Sequence, residues 1–145
     1  MLRYSDEEVA QVAHCAIRGM QEVLKDPCPS DPWAVLSEDA RASIVAGVRV
    51  ARSGATPREL HEAWVDYRRR EGWLPGPVKD YVLRTHPCLV PWDKLPEAER
   101  DKDILFLAVV LSLAQGSGWP GARFRVTGSC LLIWRSARAG GSATR

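Results

Sequence analysis

The chain has 145 residues, 46% of them hydrophobic and 26% charged, with a formal net charge of +2. These are the values of one globular domain that buries its own core, and they exclude a wholly disordered chain. All 18 acidic residues lie at or before Asp103, whereas residues 104–145 carry five arginines and no acid. Arginines spread so thinly make a poor footprint for nucleic acid.

The N-terminus is charged almost at once and has no apolar leader stretch. The longest apolar run, residues 104–114, falls well short of the ~20 residues that span a membrane. Cys15, Cys28, Cys88 and Cys130 are widely spaced, as in proteins that keep their thiols reduced. The expectation is a cytoplasmic protein with no membrane segment.

In chain order, Ser5 and Glu8 spell a capping box. Val9, Val12, Ala13, Ala16, Ile17, Met20, Val23 and Leu24 then recur at helical spacing, up to a stop at Asp26-Pro27. After a proline-rich extended piece, Ser37 with Glu38 and Asp39 opens a second helix, with Ile44, Val45 and Val48 as its stripe and Ser53-Gly54 as its end. Thr56, Pro57 and Glu59 form a second capping box, and Leu60, Ala63, Trp64 and Tyr67 face one way before Gly72 terminates the helix. A structured loop follows, then a short helix predicted over residues 78–84. Pro96, Glu97 and Glu99 start a last helix that ends near Gly116. Residues 122–137 read as a β-hairpin around Thr127-Gly128-Ser129, and a frayed tail follows from Gly140. The division expected is a helical domain over residues 1–116 and a basic segment over residues 117–145.

One motif occurs twice. Pro27-Cys28 leads through a short spacer to Pro32-Trp33, Leu36, Glu38 and Arg41; Pro87-Cys88 leads likewise to Pro91-Trp92, Leu95, Glu97 and Arg100. Each copy feeds a helix, which predicts two related prolyl-tryptophan turns. Tryptophan after proline also simply caps a core where a helix begins.

No sequence signature of catalysis is present: no phosphate-binding glycine loop, no paired-histidine metal helix, no nucleophile elbow. Cys28, His61, His86 and Cys88 lack the paired spacing of a zinc site, so neither metal nor cofactor is implied. His14, near the apolar face of the first helix, reads as structural. What remains is an aromatic and charged group: Trp64, Tyr67, Arg68, Trp73, Lys79, Asp80, Tyr81, His86 and Trp92. Such indoles form core, an interface or a stacking platform, and nearby cations suit a phosphate. The run Arg68-Arg69-Arg70 suits a solvated helix end, with Arg68 one turn from Trp64.

The ordered residues His61-x-x-Trp64, Gly72-Trp73-x-x-Gly76-Pro77-x-x-Asp80 and His86-Pro87-x-Leu89-Val90-Pro91-Trp92-x-x-Leu95-Pro96 resemble the ryanodine-receptor repeat, the RyR domain, over about residues 57–110. The resemblance implies a mainly α, compact helical domain with short β elements and no established catalytic activity. In the channels of that family the repeats come in pairs, some of which bind adenine nucleotides. The resemblance further implies, for bacterial members, sensing of nucleotide-derived signals in defence against phage. Two positions depart from the family pattern: Pro75 and Trp92 each stand where it has tyrosine.

These readings give a non-enzymatic module for a small nucleotide-like ligand, acting as sensor or sequestering protein. The expected cleft is walled by Trp64, Trp73 and Trp92. Arg68 and Lys79 would take phosphate, Asp80 or His86 a sugar hydroxyl or base edge, and Tyr67, Trp33 and Arg41 would complete the lining. The alternative is a protein-interaction or homo-oligomerisation module that buries the same tryptophans in a protein face.

Overall fold

The computed structural model of the protein describes residues 4–114. Among these, helices α1 (Asp6–Val23), α2 (Glu38–Arg52), α3 (Pro57–Arg70) and α4 (Glu97–Leu113) carry the fold. Between α3 and α4 lie two-residue strands, β1 (Leu74–Pro75) and β2 (Thr85–His86). A 3-10 turn precedes α2 at Trp33–Val35 and α4 at Trp92–Lys94. The architecture is thus mainly helical with a small β element, as expected. The predicted hairpin at residues 122–137 and the division after residue 116 lie outside the described residues.

Both capping boxes form. The Glu8 carboxylate accepts the Ser5 N–H at 2.8 Å, and Ser5 Oγ accepts the Glu8 N–H at 3.2 Å. Thr56 and Glu59 repeat the exchange at 2.7 and 3.3 Å. Each box satisfies two amides that the helix itself leaves orphaned, a contribution of about 1 kcal/mol.

The main core is made where the four helices meet. Val9, Ala10 and Ala13 of α1 pack with Val48 and Ala51 of α2, Leu60 of α3, and Phe106, Leu107 and Val110 of α4. The small residues of α1 and α2 allow close helix approach, and Phe106 fills the space beside Gly47, its ring 3.4 Å from where a Cβ would stand. The first helix ends earlier than its sequence suggests. It stops at Val23, Lys25 turns into the left-handed region at φ 54, and Asp26 Oδ1 accepts the Cys28 N–H at 2.9 Å. Val23 and Leu24 therefore lie past the packed stripe and are exposed. Val12 is on the flank of the Val9–Ala13–Ile17 row and is exposed too.

A second, smaller cluster of Val65, Trp73 and Leu89, with Trp64 packed against it, holds the segment between α3 and α4. Gly72 takes the expected left-handed conformation at φ 81. Its N–H bonds the Arg69 carbonyl and that of Trp73 bonds the Arg68 carbonyl, each at 3.0 Å, the double bond of a Schellman end. That geometry folds Trp73 back onto α3. β1 and β2 then pair in parallel, with Leu74 opposite Thr85 and Pro75 opposite His86.

Residues 78–84 are not the short helix that was expected. Asp80 Oδ1 accepts the Val82 and Leu83 amides at 2.7 and 2.8 Å, and Asp80 and Thr85 exchange backbone bonds at 2.9 and 3.0 Å. This side-chain turn competes with helix for the same amides and wins, because β1 and β2 fix its two ends. It leaves Val82 and Leu83 exposed.

A Cβ placed on Gly76 would stand 2.7 Å from Thr85 Cβ, so the strand pair needs glycine there. Gly76→Ala is expected to lower unfolding free energy by about 1–3 kcal/mol, the usual range for overpacking. Urea denaturation checks this, and an unchanged midpoint would contradict the close approach.

Candidate functional site

Each prolyl-tryptophan turn is pinned by a buried imidazole. In the first half His14 of α1 donates Nε2–H to the Asp31 carbonyl at 2.8 Å; in the second His61 of α3 donates to the Val90 carbonyl at 2.8 Å. A carbonyl only accepts, so each Nε2 carries the hydrogen. The ring of His14 sits 5.9 Å from that of Trp33 at 59°, and His61 sits 5.9 Å from Trp92 at 59°. The prolines before the tryptophans share one backbone conformation, φ −55 and ψ 144 at Pro32, φ −56 and ψ 148 at Pro91. The arginines close each unit: Arg41 lies over Trp33 and bonds the Ala34 carbonyl, and Arg100 lies over Trp92 and bonds the Leu95 carbonyl. The sequence repeat is therefore a repeat in space.

Between the two units runs a groove with two connected compartments. The first, of about 230 Å³, has an apolar floor that includes Ile44, Leu60 and Phe106, and walls that include Trp64, Arg68, Lys79, Tyr81 and His86. The second, of about 380 Å³, continues past Trp64, Lys79, His86 and Asp103 to Asp26, His61, Cys88, Glu99 and Lys102.

The cations of the first compartment have aromatic neighbours and no carboxylate within ion-pair distance. The Arg68 guanidinium lies 5.1 Å over the Trp73 ring, and Lys79 Nζ lies 4.9 Å over Tyr81. Among the described residues neither forms an ion pair. Burial holds the Arg68 guanidinium below its ordinary value, the mark of a charge poorly compensated. His86 Nδ1 accepts the Cys88 N–H at 3.1 Å. Burial, then Lys79, Arg68 and Lys102, push this imidazole down to about 4, so at neutral pH it is uncharged.

The second compartment is organised by carboxylates. Lys102 Nζ is 2.7 Å from Asp26 and 2.6 Å from Glu99, which links α4 to the chain just after α1. His61 Nδ1 faces Asp103 at 3.5 Å. With Nε2 already donating to Val90, that contact is favourable when one proton lies between the two groups. Both shifts agree. Burial opposes charge on His61, but Asp103 and the Val90 carbonyl outweigh it and raise the imidazole; burial raises Asp103 against the pull of His61. The Cys88 thiol is pushed up to about 12 by burial and by Glu99, so it is a packed thiol and no thiolate nucleophile. Cys15 and Cys28 are free as well. No group of three or more metal-binding side chains occurs among the described residues.

Of the residues singled out from sequence, the groove brings together Trp64, Arg68, Lys79, Tyr81 and His86. Trp73 is buried behind Arg68. Trp33 and Trp92 are half-buried against their histidines, Arg41 is taken up by the first turn, Tyr67 is half-buried on α3 and lines neither compartment, and Asp80 caps its own turn. Asp103, His61, Glu99 and Lys102 were missed. A signal existed for Asp103 and Lys102: both are polar residues in α4 where its apolar run begins.

Residues 53–120 match the family described as RyR domain. That span supplies Trp64, Arg68, Lys79, His86, Asp103 and both strands. α1 and α2 precede it. Among the described residues no helix is long and apolar enough to cross a membrane.

His86 gives the site a pH signature. Its unfolded imidazole takes a proton near 6.5 and its folded one near 4, so stability is lost as pH falls through that window. Urea midpoints at about pH 7 and about pH 5 should fall less for His86→Asn, whose amide oxygen replaces Nδ1, than for the parent chain. Equal losses would contradict the uncharged assignment.

Proposed function

Because residues 53–120 match the RyR domain family, we propose that the chain is a non-enzymatic module that binds a small nucleotide-derived anion in the groove beside Trp64. The candidates are an adenine nucleotide, a cyclic nucleotide or an ADP-ribose derivative. The observation that carries this reading is the pair Arg68 and Lys79, two cations on the wall of an apolar-floored cleft with no carboxylate partner among the described residues. A desolvated cation without a counter-ion is unfavourable, and a phosphate supplies one with bidentate geometry for the guanidinium.

The parts divide the work. Trp73 and Tyr81 hold the two cations by their ring faces, which keeps them charged and aimed without neutralising them. Trp64, held edge-on to His86 with ring centroids 5.1 Å apart, offers an indole to a base. A neutral His86 beside it contributes hydrogen bonding without adding charge. Nothing in this arrangement requires a reaction: the thiol at Cys88 is protonated, and the titrating pair His61–Asp103 is occupied with the turn. In a cytoplasmic setting the chain would report the ligand to a partner or sequester it, as a component of antiphage signalling.

Isothermal titration calorimetry with AMP, cyclic AMP and ADP-ribose is expected to show saturable binding by at least one of them. Arg68→Gln should weaken it by about tenfold or more, the worth of a charge-assisted hydrogen bond. Absence of heat with all three ligands would remove the reading's main support.

A further inference from the structure

The chain has three histidines, and in each Nε2 carries a hydrogen. His14 and His61 spend theirs on carbonyls of the two prolyl-tryptophan turns. His86 differs. Its Nδ1 accepts the Cys88 N–H at 3.1 Å, and a backbone amide only donates, so that nitrogen is bare and the neutral ring holds its one hydrogen on Nε2. Among the described residues the side-chain atoms both sealed from solvent and unpartnered are the Nε atoms of Arg18, Arg41 and Arg52. Nε2 of His86 has no partner there either, but it is open to solvent.

The fold thus leaves one imidazole donor unspent, and its ring lines both compartments of the groove. Trp64 stands edge-on to that ring at 5.1 Å, and Lys79, Arg68 and Lys102 all bear on its charge. The cations suit a phosphate, to which a neutral N–H adds little. The indole suits a base, and a purine offers in-plane ring nitrogens that carry no hydrogen.

We propose that His86 reads the base: its Nε2–H, held in one tautomer by Cys88, donates to a single unprotonated ring nitrogen of a purine lying against Trp64. While Nδ1 serves Cys88 the ring cannot offer an acceptor on its other side. A base with C–H or N–H at the matching position leaves the donor unpaired and is selected against. This inference rests on the reading of the groove as a nucleotide site and adds a demand on the base.

The test takes the tightest binder among AMP, cyclic AMP and ADP-ribose, which share one adenine. Calorimetry on the full chain compares it with its 1-deaza, 3-deaza and 7-deaza analogues, each with one ring nitrogen replaced by C–H. One analogue should bind about tenfold or more weaker, and the other two within about threefold of the unmodified ligand. In His86→Asn the amide oxygen still takes the Cys88 N–H but no donor stands where Nε2 was, so the large ratio should fall to within about twofold. His86→Gln, whose amide nitrogen reaches the place of Nε2, should keep a ratio of about threefold or more. Long-range ¹H–¹⁵N spectra of the unaltered chain serve if the variants fail to fold: at neutral pH they should show Nδ1 of His86 bare and Nε2 protonated. The opposite tautomer, three analogues that bind alike, or a ratio that His86→Asn leaves unchanged each overturns the donor role while leaving the anion site standing. Silence of AMP, cyclic AMP and ADP-ribose alike overturns the underlying reading as well.

Discussion

The hydrogen bond from His61 to the Val90 carbonyl is the constraint on which the second half of the molecule depends. It fixes the chain where it leaves the strand pair, and on either side of it Leu89 and Leu95 are almost wholly buried at 1% and 2% exposure. Between them the Trp92 turn sets the direction in which α4 starts. The same imidazole meets Asp103 one and a half turns into α4, so one side chain ties α3, the turn and α4 together. Replacing a buried donor of this kind leaves a carbonyl unsatisfied as well as a cavity, costs that add. His14 pins the Trp33 turn to α1 by the same kind of bond. A groove lies between two such pinned units because each turn holds its own tryptophan inward, against its own histidine.

That economy explains why one indole, Trp64, is left for the groove. Trp33 and Trp92 are committed to the turns, and Trp73 to the Schellman end of α3, where its face carries Arg68. The fold thus spends aromatic surface on aiming cations. A guanidinium held over a ring stays fully charged, while one held by a carboxylate presents no net charge to a ligand. At the other end of the groove the reverse device operates, and Lys102 is neutralised by the carboxylates that it joins.

Much of the fold was legible in the sequence because local rules decide it. Capping boxes at Ser5 and Thr56 and the left-handed Gly72 depend on a few neighbouring residues, and each forms as read. The Pro-Trp repeat announced two equivalent turns, and the equivalence extends to their buried histidines, which the motif did not include. The failures have one cause, long-range geometry. The segment at residues 78–84 looked helical, but its ends are fixed by pairing of β1 with β2, and Asp80 takes the amides a helix would need. The tryptophans looked like one cluster because they are close in sequence; which of them faces a cleft is set by partners on other helices. Arg68, Lys79 and His86 were found by residue type, while Asp103 and Lys102 required knowing that α4 crosses the groove.

The account's central claim is that Trp64 alone among the described tryptophans borders the ligand. Each of the six tryptophans contributes one indole N–H to a ¹H–¹⁵N correlation spectrum of the labelled chain. Titration with AMP, followed by assignment through single Trp→Phe replacements, should shift the Trp64 indole most and leave those of Trp33 and Trp92 in place. A largest shift at Trp33 or Trp92, or saturable binding that leaves the Trp64 signal unmoved, would contradict it.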